Sequence, residues 1–271
     1  MNLWIIALLG LVVGSFLNVV VHRLPRILEA QWQREEAALR EQPPPPAKSY
    51  HLAWPSSHCP HCLHPLRWWQ NLPVLSFLLL RGRCHYCQQR ISWQYPAVEL
   101  CSMALAIYCA WRYGYTWTAL AWYGFTATLL CLAVIDLRTQ LLPDHLTLPL
   151  LWAGLLASAS GTIATPITQA VWGGALGYSC LWLIAAVYQR ITRQQGMGHG
   201  DFKLLAALGA WLGAYALLPV VLIASLLGSA IGLGLIATRR LRRDQPLAFG
   251  PFLVLGAILA WIVPWQAYLL L

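Results

Sequence analysis

The chain has 271 residues, of which 59% are hydrophobic and only 10% charged, and it carries 15 tryptophans. Soluble domains typically have about 25% charged residues, so this composition excludes that class and points to a polytopic membrane protein. The formal charge is +9, from 18 Lys and Arg against nine Asp and Glu, and membrane topology accounts for it without a nucleic-acid partner.

Apolar runs suited to crossing about 30 Å of hydrocarbon fall at 2–21, 97–111, 117–135, 145–160, 166–188, 202–215, 216–237 and 248–270. They predict an all-α polytopic membrane protein of about eight transmembrane helices, with 97–111 and 202–215 shorter than ideal. The first run starts without a basic n-region, and "GSFLNVVVHRLP" has no small-x-small cleavage site, so it is expected to stay as helix one. Nine basic residues lie in 22–97, and Arg138, Arg190, Arg193, Lys203, Arg239, Arg240, Arg242 and Arg243 fall on loops or helix ends of the same face. Basic residues favour the cytoplasmic side, which places both termini outside and this face in the cytoplasm. The expected division is a transmembrane helix over 1–21, a cytoplasmic loop over 22–96 and a seven-helix membrane core over 97–271.

Within the loop, "ILEAQWQREEAALRE" (27–41) reads as an amphipathic helix, stopped by the extended linker Pro43–Pro46. The insert 27–48 carries no assigned function. After it, Cys59, Cys62, Cys84 and Cys87 form two C-x2-C pairs separated by 21 residues. This is close to the spacing at which two knuckles supply four thiolates to one tetrahedral zinc. The alternative is a pair of disulfides, which rarely persist in a reducing compartment. A closed four-thiolate site is structural, because catalytic zinc keeps a position open for water. His58, His61, His64 and His85 are then surface or outer-shell residues. Cys101, Cys109, Cys131 and Cys180 read as packing residues on membrane helices.

Of the nine acids, Glu29, Glu35, Glu36 and Glu41 belong to the amphipathic insert and Asp244 sits among arginines. The other four, Glu99, Asp136, Asp144 and Asp201, stand at cytoplasmic ends of predicted membrane helices, where ionisable groups are costly and often functional. Asp144 follows Pro143 before an apolar run and is expected to cap its helix. Asp136 ends the 117–135 run, where an acid opposes the helix dipole and would not be placed for stability; a boundary ion pair with Arg138 is the alternative. Asp201 ends "GMGHGD", with Gly196, Gly198 and Gly200 before it; a helix cap is its alternative reading, though capping alone would not require three glycines. Glu99 reads either as a supporting partner of the site or as a first-turn dipole effect, and Lys203 joins the supporting residues.

Two carboxylates at one membrane face fit an aspartyl hydrolase, in which a pair shares one proton and activates water against a peptide carbonyl. The helix dipoles make Asp136 the expected holder of the proton and Asp201 the base. The glycines would let a substrate strand approach the loop.

These motifs resemble the type IV prepilin peptidases, also called leader peptidase/N-methyltransferases, of the GxGD class of intramembrane aspartyl proteases. The resemblance is carried by "GSFLNVVVHRLP" (14–25), the cysteine tetrad, "ISWQYPAVEL" (91–100), "DLRTQLLPD" (136–144) and "GMGHGDFKLLAALGAWLG" (196–213), and it covers almost the whole chain. It implies that Asp136 and Asp201 are catalytic and that Asp144 supports them. It further implies a bacterial inner-membrane enzyme that removes basic leaders from type IV prepilins or type II secretion pseudopilins on the cytoplasmic side. Cysteine-rich members then N-methylate the new N-terminus with S-adenosylmethionine. No nucleotide-binding fingerprint locates the methyl donor; Gly82 and Arg83 are candidates by position, with a zinc-knuckle turn as the equal alternative. Prepilin or pseudopilin and membrane lipid are the expected partners. A zinc protease would need a motif such as H-E-x-x-H, which the chain lacks. The remaining alternative is a transporter or channel with functional aspartates at the inner face.

Overall fold

A computed structural model describes residues 3–42, 51–54, 56–193, 197–239 and 247–263. Its helices are α1 (Leu3–Leu39), α2 (Leu75–Leu79), α3 (Gln94–Tyr113), α4 (Trp117–Thr139), α5 (Asp144–Ala159), α6 (Ile167–Thr192), α7 (His199–Leu212), α8 (Leu217–Ala237) and α9 (Gly250–Ile262). A helix lies in each of the eight predicted spans, and no named strand occurs among the described residues. Leu3–Leu39, Trp117–Thr139, Ile167–Thr192 and Ala214–Ala237 are long and apolar enough to cross a membrane. The all-α, multi-pass reading stands. The Pro43–Pro46 linker, Gly196, Arg240, Arg242, Arg243 and Asp244 lie outside the described residues.

The chain divides into two compact units, Met1–Tyr123 and Gly124–Leu271. In the first, α1 and α3 cross closely because α1 presents Gly10 and Gly14 four residues apart, on one helix face. A Cβ at Gly10 would lie 2.7 Å from Met103 Cα, and one at Gly14 would lie 2.7 Å from Glu99 Cα. Small residues at this spacing let membrane helices pack backbone to backbone. The rest of "GSFLNVVVHRLP" holds α1 in register: Asn18 Nδ2 donates to Tyr95 O at 3.0 Å, and buried Arg23 donates to His51 O and Leu52 O at 3.1 and 3.0 Å. The helix expected over 27–41 is the far end of α1, which runs through Pro25 without stopping.

In the second unit α7 is the centre. Phe202, Leu204, Leu205 and Leu208 are all buried, as befits a helix that is apolar on every side. It crosses α6 at Gly173 and Gly177, where a Cβ at Gly177 would meet Leu205 O at 2.6 Å. Trp211 anchors it further: its Nε1–H donates to Leu150 O of α5 at 2.8 Å, and its ring stacks on Phe125 of α4 with centroids 4.8 Å apart. On α4, Phe125, Leu129, Leu132 and Ile135 form a buried stripe that ends at Asp136. Cys109 and Cys131 are buried as packing residues, whereas Cys101 and Cys180 are exposed on their helices.

Candidate active site

The second unit brings together the two sequence motifs that hold Asp136 and Asp201. Asp136, on the last turn of α4, is 4% exposed, and Asp201, on the first turn of α7, is half-buried. Leu142 lies against both Gly200, next to Asp201, and Gly250, which bonds Asp136, so the two acids share one neighbourhood. Asp201 caps nothing: the N-cap of α7 is Gly198, in extended backbone, and no side chain bonds the helix start. Capping therefore does not explain why an acid stands there.

Two residues not singled out in the sequence complete the geometry. The N–H of Gly250, first residue of α9, donates to Asp136 Oδ2 at 3.0 Å in a buried setting. The first N–H groups of a helix have no partner within it, so α9 directs one of them onto the carboxylate. Leu142, in the α4–α5 connection, is the second. A Cβ at Gly200 would lie 2.8 Å from Leu142 Cβ, and one at Gly250 would lie 3.3 Å from Leu142 Cδ1. Leu142 thus wedges between the start of α7, next to Asp201, and the start of α9, which touches Asp136. The only advance signal was a glycine-proline pair, "FGPF", at the head of the last apolar run.

Gly200 therefore serves close packing within a helix, not positive φ, and Gly198 is neither left-handed nor crowded, since its Cβ would meet only Asp201 Oδ2 at 3.9 Å. Asp144 is not the cap that its sequence predicts. Pro143 occupies the cap position of α5, and both oxygens of Asp144 accept from Lys203 Nζ at 2.7 Å. The competing partner comes from α7, 59 residues away in sequence, and local patterning does not reveal it. Glu99 lies in the first unit, where its Oε2 accepts the Val74 N–H at 2.8 Å and Ser15 bonds its side chain. It ties α1 and α3 to the segment that follows the first cysteine pair.

The four cysteines converge, with all four Sγ atoms within 4.8 Å of one another and Cys59 Sγ 3.8 Å from Cys87 Sγ. Thiolates about 2.3 Å from a tetrahedral zinc are about 3.8 Å apart, so the residues fit that ion. The two halves are built alike. Leu63 N–H donates to Cys59 O and Cys59 N–H to His64 O; Gln88 N–H donates to Cys84 O and Cys84 N–H to Gln89 O. Leu63 and Gln88 both take φ of 57°. Cys84 is lowered to about 7, first by the Cys87 backbone N–H. Cys87, although exposed and accepting a lowering hydrogen bond from Gln89, is pushed up to about 11 by the neighbouring thiols, with partial desolvation of its sulfur in the cluster. The opposite shifts reflect one cluster in which adjacent thiolates repel. Among the described residues no histidine joins this metal-competent group. Gly82, at φ 67°, turns the chain out of α2 and lies against Phe77, with a Cβ position 3.1 Å from its ring; Arg83 is exposed.

Among the described residues the fold is all-helical, with buried Asp136 and half-buried Asp201 at the ends of two helices and a four-cysteine module, and this fits the class of a membrane enzyme. Residues 8–113 match the Bacterial Peptidase A24 N-terminal domain and residues 123–233 match the Type IV leader peptidase family. The chain is 48% identical over 275 residues to a prepilin leader peptidase/N-methyltransferase of Burkholderia pseudomallei (strain 1026b), covering all of this chain and 88% of that protein. It is 46% identical over 257 residues to the Pseudomonas aeruginosa protein of the same name, covering 94% and 87%, and 45% identical over 259 residues to that of Neisseria gonorrhoeae, covering 95% and 88%. No solved structure matches. The chain belongs to the type IV leader peptidase family and is a peptidase, which sets aside the transporter alternative.

Proposed function

We propose that this protein removes the basic leader of type IV prepilins or type II secretion pseudopilins at the cytoplasmic face of the bacterial inner membrane, with Asp136 and Asp201 as catalytic residues. The observation that carries the reading is the pairing of these two carboxylates at the ends of α4 and α7, Asp136 buried and held by Gly250. A pair sharing one proton can take a proton from water with one carboxylate and polarise the scissile carbonyl with the other. The resulting tetrahedral carbon collapses as the pair protonates the leaving nitrogen. The products are a leader with a new carboxylate and a mature chain with a free amine. Because α9 directs an N–H at Asp136 and Asp201 stands in the first turn of α7, both acids face helix N-termini. The simple dipole asymmetry between them is thereby lost, and the proton belongs to the pair.

In this reading residues 1–21 are a membrane helix, 22–96 a cytoplasmic loop and 97–271 the membrane core, with both termini periplasmic. Cys59, Cys62, Cys84 and Cys87 hold one zinc, which supplies folding free energy to a segment with little core of its own. The new amine is methylated with S-adenosylmethionine, as the names of the relatives lead one to expect. Gly82 and Arg83 are candidates by position for holding the donor, with the knuckle turn as the equal alternative. Gly82 turns against Phe77, and no transfer step is assigned to either residue. The test is mass spectrometry of a co-expressed prepilin, reading leader loss and an added methyl separately, with wild type and with Asp136→Asn and Asp201→Asn.

A further inference from the structure

Among the described residues of the second unit there are three acids. Asp136 is buried and bound to Gly250, and Asp201 is half-buried beside it; Asp144 alone is exposed, with 49% of its side chain accessible. Its two oxygens grip one ammonium, Lys203 Nζ, at 2.7 Å each. The pair stands on the same two segments as the catalytic aspartates. Asp144 opens α5 directly after the short connection that follows the helix of Asp136 and contains Leu142, and Lys203 follows Asp201 by two residues.

A clasp between α5 and α7 is the simplest role for this contact, but the magnitudes argue against it. An ion pair this exposed contributes about 0–1 kcal/mol. The same two helices are already joined by the buried Trp211–Leu150 hydrogen bond and by Gly154, whose Cβ position is 2.6 Å from the Trp211 ring. What the geometry suits is exchange. Replacing one ammonium by another on the same carboxylate keeps the charge and both hydrogen bonds, so it costs little.

We propose that Asp144 is a cation subsite of the peptidase, occupied by the Lys203 ammonium at rest and by a lysine or arginine side chain of the substrate leader during cleavage. The chemistry of the occupant is set by what fills the site here, a primary ammonium held by both carboxylate oxygens. An incoming cationic peptide otherwise meets Arg138, exposed two residues beyond Asp136, and finds no other exposed carboxylate among the described residues of this unit. The proposal rests on the peptidase reading and adds to it a residue that selects the substrate without touching the scissile bond.

The test uses full-length enzyme in detergent and a prepilin with a lysine-containing leader, beside the same prepilin with those lysines changed to Gln. Wild type should prefer the lysine leader, chiefly through KM, by less than the roughly fivefold that one such exposed contact supplies, because Lys203 competes for the carboxylate. Asp144→Asn should erase the preference while keeping kcat within about twofold on either leader, and Asp144→Glu should restore it. Lys203→Gln, which vacates the subsite, should keep the preference and lower KM for the lysine leader. Unchanged preference in Asp144→Asn overturns the proposal. So does an equal fall in kcat on both leaders in Asp144→Asn and Lys203→Gln, which is the signature of a clasp. Failure of the wild type to cleave either leader would instead remove the peptidase reading, and the subsite with it.

Discussion

The N–H of Gly250 reaches Asp136 Oδ2 at 3.0 Å, and a Cβ on Gly250 would lie 2.7 Å from that same oxygen. One glycine thus supplies a donor to a buried carboxylate and leaves no room for a side chain. Gly250→Ala should displace the carboxylate and lower the cleavage rate by at least about tenfold, equivalent to ~1.4 kcal/mol. Gly234→Ala, at a position where an added Cβ meets nothing within 4 Å, should cleave as wild type does. Initial rates of leader removal by the two purified variants make the comparison.

The glycines before Asp201 should separate in the same assay. Gly200→Ala drives a methyl against Leu142 and through it against the α9 start, whereas Gly198→Ala meets only a carboxylate oxygen at ordinary contact distance. Cleavage should fall severalfold in the first and stay close to wild type in the second. Equal losses would mean that Gly198 serves the approach of the substrate strand.

Much of this was legible in the sequence because it is encoded locally. Each apolar run contains a helix, four of them long and apolar enough to cross a membrane, and the C-x2-C pairs marked the convergent thiols, since each knuckle closes within a few residues of its own cysteines. The relations that escaped are long-range. Asp144 has the local appearance of a cap, but its partner Lys203 arrives from another helix. Gly250 looks like an ordinary helix-opening glycine until α9 is set beside α4. Pro25 would be expected to interrupt a helix, yet α1 continues past it, with Arg23, Leu24, Pro25 and Leu28 all buried.

The α1–α3 crossing yields a stability prediction. Gly14→Val would place its Cβ 2.7 Å from Glu99 Cα, a backbone atom that cannot rotate away. Overpacking of this kind costs about 1–3 kcal/mol. Lower thermal stability in detergent, accompanied by weakened methylation or lost protein, is the expected outcome; an unchanged melting temperature would show that the helices separate readily at this point.

Metal removal should divide the two halves of the proposed function. Chelation, or Cys62→Ser, should release about one zinc per chain, measured by elemental analysis, and loosen the segment around Cys59–Cys87. Methylation should be damaged first, and cleavage only through substrate positioning. Cleavage that vanishes on chelation and returns with zinc, in protein that stays folded, would make the metal catalytic.

The central claim is that Asp136 and Asp201 together hydrolyse the leader peptide bond. The most direct measurement is intact-mass analysis of prepilin co-expressed with Asp136→Asn, Asp201→Asn and Asp144→Asn, each checked for membrane insertion. Full-length, uncleaved prepilin with the first two variants, beside substantial processing with Asp144→Asn, is the predicted result. Normal processing by Asp201→Asn, or loss in Asp144→Asn but not in Asp136→Asn, would contradict it.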